Sequence, residues 1–321
     1  MHDAIELVVE RIRLDIIGGA ADMAKETVQA LQKMIGDYPD SQAQQFEKDY
    51  LDAVTAILRV TPSFAPPINA LHRITSAYEA AIDAGCAFNE TKQKMITAGD
   101  ALLEWMNASL DKIARIGAEK IKDGDIVFMY SMSSTVWRIL KYAKSQGKSF
   151  EVWGTESRPG NEGLWNIEAL GKAGIPVSMS VDACIGTLVP KSDVVFVGAD
   201  AVSASGSVFC KAGTYPTALI AKAHNIPFYI AADTLKFESA TLLGFNFRSD
   251  PVPRDQVLNE EYPADVPVNG VLFDETPPEL ISALITELGP IHPISAGQIM
   301  LSMPRSRKIN ALIPDWAYGR L

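Results

Sequence analysis

The stretch that decides the fold is IVFMYSMSSTVWRI, residues 126–139. Five apolar or aromatic residues, ending at Tyr130, lead directly into Ser131-Met132-Ser133-Ser134, and an amphipathic segment follows. A short continuous apolar run bounded by a turn is typical of a buried strand, and a serine before a helical pattern is typical of an N-cap. The stretch therefore predicts a strand that ends in a hydroxyl-rich turn and passes into a helix.

The same alternation continues along the chain. Further apolar runs rich in β-branched and aromatic residues occur at Phe150–Trp153, Ile175–Met179, Val194–Val197 and Ile226–Ala231. Helix-length segments lie between the runs, at Thr135–Gln146, Glu162–Ala173 and Thr214–His224. Apolar strands that alternate with helices predict right-handed βαβ units and a parallel sheet covered on both faces. Ligands of such sheets bind beyond the carboxyl ends of the strands, so the turns that follow these strands are the expected place for a site.

The first 121 residues predict a different structure. Apolar residues recur there at helical spacing, and proline and glycine break the pattern at Gly36, Pro39 and Pro62. The turn signal Lys122-Asp123-Gly124-Asp125 ends this region. The sequence thus predicts an α/β protein with an all-helical domain at residues 1–121. A Rossmann-like parallel-sheet domain at 122–321 is expected to carry the ligand site.

Composition excludes several classes of function. The chain has 321 residues and a net charge of −10, which argues against a nucleic-acid-binding surface. Its three cysteines form no CxxC pair and its four histidines are scattered, so no metal site is expected. Neither GxGxxG nor GxxxxGK[ST] occurs in the expected context, and no cofactor is predicted. The amino-terminal segment has no signal-peptide pattern and no run is long enough for a membrane helix, which favours a cytoplasmic protein without membrane contact.

The turn after the second predicted strand is GTESRPGNEG, residues 154–163. Arg158 could hold a carboxylate or a phosphate in a bidentate fork. It could equally form an ion pair with Glu156 or Glu162 that stiffens the turn. The residues alone leave these two roles open.

A second candidate segment is VVFVGADAVSASGSVFCKAGTY, residues 194–215. Asp200 stands just beyond a predicted buried strand, where partial burial favours acid–base chemistry. Lys211 precedes a predicted helix start at Gly213-Thr214, an arrangement suited to an anion. The alternative is an Asp200–Lys211 ion pair with a structural role only.

Four segments together identify a resemblance to a known family. ESRPGNEG, VGADAVSASGSVFCKAGTY, AKAHNIPFYIAADTLKF and FDETPPELISALITELG resemble the family of ribose-1,5-bisphosphate isomerase, methylthioribose-1-phosphate isomerase and the α, β and δ subunits of translation initiation factor 2B. ESRPGNEGL looks most like the ribose-1,5-bisphosphate isomerase branch. The resemblance implies a homodimer or larger homo-oligomer assembled through the carboxyl-terminal domain. It also implies metal-free conversion of an aldose 1-phosphate to a ketose 1-phosphate.

The resemblance assigns roles to the two retained polar residues and to a serine. Asp200 matches the acid–base aspartate of the isomerases, and Lys211 matches a lysine beside the substrate phosphate. Ser131 stands where the isomerases have a catalytic cysteine. A serine hydroxyl is far less acidic than a thiol, so Ser131 is expected to donate a hydrogen bond to a sugar oxygen at this catalytic position.

Other positions depart from the isomerases. Their Arg-Gly-Ala phosphate-binding triplet falls at Gly18-Gly19-Ala20, which keeps Gly19 and Ala20 as candidate binding residues but lacks the arginine. A glutamine of the family becomes Glu162, which is expected to hydrogen-bond a sugar hydroxyl. An asparagine becomes Cys210, whose thiol could take over from the missing cysteine or could simply fill the core.

The predicted function is therefore a sugar-phosphate aldose–ketose isomerase with an altered substrate range, because the pocket has lost positive charge and gained a carboxylate. The alternative is a non-catalytic regulatory subunit like those of translation initiation factor 2B, which also have a serine-rich turn at the position of Ser131. Such a subunit would bind a partner protein or sense a sugar phosphate.

Overall fold

The computed structural model describes residues 1–14, 18–249, 251–258, 261–263 and 265–312. Its contacts divide the chain into two compact units. The first comprises Met1–Ala108, Leu235–Arg248 and, within the described residues, the chain from Ile299. The second comprises Ser109–Thr234 and Ser249–Gln298. The domain boundary that the sequence predicts between residues 121 and 122 stays a prediction.

The first unit is built from amphipathic helices. They are α1 (Asp3–Arg13), α2 (Ala20–Asp37), α3 (Ala43–Val60), α4 (Ala65–Asp83), the first part of α5 (Phe88–Ala118) and α11 (Arg307–Leu312). Their apolar faces form one core around Leu31, Phe46 and Tyr50, all of which are buried. The helix after Pro62 begins at Ala65 and has prolines in its first turn. Prolines are tolerated there because the first backbone N–H groups of a helix have no helical partner. The predicted helical character of this region is confirmed.

A mostly parallel sheet of seven strands forms the second unit. The strands are β1 (Ile126–Met129), β2 (Glu151–Thr155), β3 (Val177–Ser180), β4 (Val194–Val197), β7 (Phe228–Ala231), β9 (Ala283–Thr286) and β10 (Gly289–Ile291). Their order is β10-β9-β7-β4-β1-β2-β3, and only β10 pairs antiparallel. The α/β class and the parallel sheet predicted from the sequence are therefore confirmed.

Five further strands were not predicted from the sequence. An antiparallel sheet contains β5 (Ala201–Val202), β6 (Val208–Lys211) and β8 (Phe273–Thr276), and the hairpin of β9 and β10 extends the main sheet. The two-residue β5 is too short for a periodic pattern, and β8 carries the polar sequence FDET. Strand signals rest on runs of β-branched and aromatic residues, which β5 and β8 lack.

The remaining helices are α6 (Ser134–Ser145), α7 (Trp165–Gly171), α8 (Ile185–Leu188), α9 (Thr214–Ala223) and α10 (Ala296–Met300). The helices α6, α7 and α9 lie within the three segments predicted as helical or differ from them by one residue, whereas α8 and α10 were not predicted. The α7 helix is shorter than the segment predicted at 162–173, because Asn161 in the left-handed region starts a single 3-10 turn before it. Among the described residues, no helix is long and apolar enough to cross a membrane.

The strand order fixes where a ligand can bind. The six parallel strands follow the order of doubly wound sheets, whose connections change direction between β1 and β4. The carboxyl ends of those two strands lead to Ser131 and Asp200. The ends also approach closely, because a Cβ placed on Gly198 would lie 2.6 Å from Ser133 Oγ. The topology therefore supports a site at the two turns that the sequence singled out.

Candidate active site

The turn after β1 is held in a strained conformation by side chains from two other segments. Ser131 has a φ of 58°, in the left-handed region that costs a non-glycine residue about 1–3 kcal/mol. Its backbone N–H donates to Ser157 Oγ at 2.9 Å, and its carbonyl accepts from Asn166 Nδ2 at 3.1 Å. Asn166 is itself buried and accepts from Trp137 Nε1 at 2.6 Å. The turn is thus fixed in position rather than merely connecting β1 to α6.

A neighbouring serine caps the helix. Ser133 Oγ accepts a hydrogen bond from the Val136 N–H at 3.3 Å, which confirms the expectation that a serine of this turn is the N-cap of the helix that follows, α6. Within the described residues the Ser131 hydroxyl forms no hydrogen bond, although the residue is buried. The Ser131 hydroxyl is therefore available to donate to a bound molecule.

The turn after β2 is organised by a carboxylate that the sequence reasoning did not single out. Asp182 accepts the Ser157 N–H at 2.9 Å and the Arg158 N–H at 2.7 Å. The exposed Arg158 side chain donates from Nη2 to the Gln256 carbonyl at 2.8 Å. Among the described residues it makes no ion pair, so the structural alternative of a pair with Glu156 or Glu162 is wrong. Its predicted role in holding an anionic ligand stays a prediction.

Lys211, on β6, and Glu162, in the 3-10 turn before α7, form a salt bridge. Lys211 Nζ donates to Glu162 Oε1 at 2.8 Å, with 8% of the lysine side chain and 28% of the glutamate side chain exposed. The other carboxylate oxygen, Oε2, is buried and has no hydrogen-bond partner among the described residues. Lys211 therefore pairs with Glu162 rather than with Asp200. The alternative of an Asp200–Lys211 ion pair with a structural role is wrong.

A carboxylate of the protein occupies the amino-terminal end of α9. Asp274, on β8, accepts the Gly213 N–H at 2.6 Å and the Tyr215 N–H at 3.2 Å. Burial raises the pKa of Asp274 to about 6, although the two backbone N–H donors act in the opposite direction. The sequence predicted an open anion site at this helix start. The structure corrects that prediction, because the carboxylate of Asp274 already occupies the site.

A buried phenol marks the centre of this acidic region. The Tyr130 hydroxyl donates to the Ala212 carbonyl at 2.7 Å. Burial raises the pKa of Tyr130 strongly, and negative charge on four nearby groups raises it further; they are Asp182, Asp274, Cys210 and Glu162. The structure thus places groups from β6, from β8 and from the segments that follow β2 and β3 near one hydroxyl.

Asp200 and Cys210 lie on the antiparallel part of the second unit. Asp200 is half-buried, and its backbone N–H donates to the Phe209 carbonyl at 3.0 Å, which ties the turn after β4 to β6. Cys210 is a buried free cysteine of β6, paired through the backbone with Asp274. Neither the acid–base role of Asp200 nor the thiol role of Cys210 is tested by these contacts, and both stay predictions.

Two further candidate residues belong to the first unit. Gly19 has an extended backbone, with φ −66° and ψ 176°, and is the N-cap of α2. Ala20 is the first residue of that helix and is buried. The predicted contribution of both to substrate binding stays a prediction.

Sequence reasoning missed three residues that build the site: Asn166, Asp182 and Asp274. Asp182 follows β3 as Asp200 follows β4, so the rule that selected Asp200 would also have found it. Asp274 lies in a polar segment without a strand pattern, and only the pairing of β8 with β6 brings it to α9. Asn166 sits in an ordinary helical segment and carries no signal of its own.

Comparison with known proteins gives a consistent result. A model of the Initiation factor 2 subunit family matches residues 17–293. The ribose 1,5-bisphosphate isomerase of Archaeoglobus fulgidus is 32% identical over 294 residues, which is 91% of each chain. A putative translation initiation factor eIF-2B subunit 2-like protein of Pyrococcus furiosus is 32% identical over 293 residues, 91% of this chain and 98% of the relative. The crystal structure of Pyrococcus horikoshii translation initiation factor eIF-2B superposes with a TM-score of 0.75 at 28% identity, covering 91% of this chain and 98% of the other.

Proposed function

Because this chain belongs to the Initiation factor 2 subunit family, we propose that it is an aldose–ketose isomerase of sugar phosphates, similar to ribose 1,5-bisphosphate isomerase but with an altered substrate range. The observation that carries the proposal is the placement of Ser131 and Asp200 after β1 and β4, the two strands between which the sheet changes direction. The length and extent of the similarity to isomerases support it.

Asp200 is the proposed acid–base residue. Conversion of an aldose 1-phosphate to a ketose 1-phosphate is redox-neutral: the bond between C1 and the ring oxygen breaks, C2 and its hydroxyl oxygen each lose a hydrogen, and C1 and the ring oxygen each gain one. A half-buried carboxylate can accept the proton from one carbon and return it to the other. A group of this kind typically contributes about 10²–10⁴ to the rate.

Ser131 has a supporting role in this proposal. Its hydroxyl would need an adjacent base to act as a nucleophile or proton carrier, and the hydroxyl has no such partner among the described residues. The backbone of Ser131 is held by Ser157 and Asn166, so the hydroxyl is presented in a fixed position. We assign it the donation of a hydrogen bond to a sugar oxygen.

Turnover tests the proposal directly. The purified protein is incubated with a panel of aldose phosphates that includes ribose 1-phosphate, ribose 5-phosphate and ribose 1,5-bisphosphate, and ketose formation is followed by ¹³C NMR. We expect a ketose phosphate from at least one compound. A preparation of Asp200→Asn, purified in the same way, controls for contaminating isomerases. If no compound in the panel is converted, the isomerase proposal is wrong.

The assembly and location of the protein are part of the same proposal. We expect a homodimer or a larger homo-oligomer formed through the sheet-containing unit, and a cytoplasmic location. Multi-angle light scattering on the full chain would give the mass of the assembly, and a monomer across the micromolar range would contradict the expectation.

A second candidate is a non-catalytic regulatory or sugar-phosphate-sensing subunit. Two observations favour it: the replacement of a catalytic thiol by Ser131, and the similarity to a protein named as a translation initiation factor eIF-2B subunit 2-like protein. Saturable binding of a sugar phosphate without turnover of any panel member would select this candidate over the isomerase.

A further inference from the structure

The Lys211–Glu162 pair has hydrogen-bonding capacity that the protein leaves unused. Lys211 Nζ donates one hydrogen bond, to Glu162 Oε1 at 2.8 Å, and an ammonium has three such donors. Glu162 Oε2 is a buried acceptor without a partner among the described residues. Leaving a buried charged acceptor unpaired is unfavourable, so the pair is arranged to receive a further donor.

The electrostatics of the pair disfavour a phosphate. A phosphate monoester carries a charge of about −1.5 to −2 at neutral pH and offers oxygen acceptors. Next to Lys211 it would compete with Glu162 for the ammonium and would lie against a carboxylate of the same sign. With only 8% of the Lys211 side chain exposed, solvent screens this repulsion poorly. The adjoining start of α9 gives no relief, because Asp274 already accepts its N–H groups.

A hydroxyl satisfies the same atoms. Its O–H can donate to Glu162 Oε2, and its lone pairs can accept from a free N–H of the Lys211 ammonium. No ion pair is broken and no like charges meet. An uncharged group with one donor and two acceptor positions is therefore the best match for the pair.

We infer that Glu162 is a specificity-determining residue that makes the Lys211 position select a sugar hydroxyl in place of a phosphate, so that a sugar monophosphate binds better than the corresponding bisphosphate. The choice of a sugar as the ligand rests on the proposed function. The selection between a hydroxyl and a phosphate rests on the ion pair, and it holds for binding whether or not the bound molecule is converted.

Calorimetric binding of ribose 1-phosphate, ribose 5-phosphate and ribose 1,5-bisphosphate tests the inference. The wild-type protein is expected to bind one monophosphate at least about tenfold more tightly than the bisphosphate, the ratio that corresponds to about 1.4 kcal/mol. In Glu162→Gln the carboxylate charge is gone and Lys211 is free to bind an anion. The bisphosphate is expected to gain about tenfold or more in affinity, and the preferred monophosphate is expected to lose affinity.

Glu168→Gln is the matched control. Glu168 lies on the same segment and also pairs with a lysine, but its side chain is 76% exposed, so this variant should bind all three compounds like the wild type. A wild-type preference for the bisphosphate, binding of none of the compounds, or an unchanged ratio in Glu162→Gln would overturn the inference. The wild-type ratio alone decides the matter if a variant does not fold.

Failure of this inference and failure of the proposed function give different results. Selective binding of a monophosphate without ketose formation would refute the isomerase and leave the role of Glu162 intact. Efficient conversion of the bisphosphate, with the wild type preferring it, would refute the role of Glu162 and leave the isomerase intact.

Discussion

Replacement of Asp274 by Asn removes a titrating group from the start of α9 and should change how the stability of the protein depends on pH. Burial raises the pKa of this carboxyl from its usual 3.8 to about 6 in the folded protein. Between about pH 4 and pH 6 the unfolded chain has therefore released the proton while the folded chain still holds it. Folding takes up a proton in this window, so this group's contribution to stability falls as the pH rises.

The size of the effect follows from the two pKa values. A tenfold change in proton affinity corresponds to about 1.4 kcal/mol, so the interval from 3.8 to about 6 sets an upper magnitude of about 3 kcal/mol. Asp274 is only half-buried, and solvent screening reduces the expected effect to about 2 kcal/mol. Asn keeps one acceptor oxygen for the Gly213 N–H but does not titrate.

Urea unfolding followed by circular dichroism, at several values between about pH 4 and pH 7, measures the effect. The free energy of unfolding of the wild type minus that of Asp274→Asn should fall by about 2 kcal/mol across the window. Asp111→Asn is the control, because Asp111 pairs with Arg138 on the surface and its side chain is 63% exposed. A difference that stays constant with pH, or that grows as the pH rises, would refute the assignment of Asp274 as a half-buried carboxylate with a raised pKa.

Two other substitutions test the packing of the site. Gly213→Ala should destabilise the protein by more than about 2 kcal/mol, because φ is 109° there and a Cβ would overlap the Tyr130 hydroxyl. The control is Gly147→Ala, which should cost only about 1 kcal/mol, because Gly147 has a φ of 84° but nothing lies near its Cβ position. Equal losses in urea unfolding would contradict this account. Asn166→Ala should cost about 1–3 kcal/mol and lower kcat, because the carbonyl of Ser131 loses its donor and the turn loosens; unchanged stability and kcat would show that Asn166 does not position the turn.

The sequence predicted the parts of the fold that depend on local patterns. The run at Val194–Val197 is β4 with the same boundaries, and the run at Ile226–Ala231 became β7, which begins two residues later. Both strands were predictable because buried parallel strands are apolar throughout. The cap at Ser133 was also predictable, since it depends only on the residues next to it.

The pairing of side chains within the site was not predictable in this way. Lys211 was expected beside Asp200 or beside a ligand, and it pairs with Glu162, which is 49 residues away along the chain. The helix start after Gly213 was interpreted as open, and it is filled by Asp274 from a strand without a strand pattern. Both contacts depend on how β6 pairs with its neighbours, and no local pattern specifies that register.

The central claim is that Asp200 transfers the proton in an aldose–ketose isomerisation. The most direct test is to measure kcat of Asp200→Asn on an aldose phosphate that the wild type converts, together with the calorimetric affinity of the variant for that compound. The account predicts a loss of about 10²–10⁴ in kcat with affinity changed by less than about threefold. A variant that isomerises at the wild-type rate would contradict it.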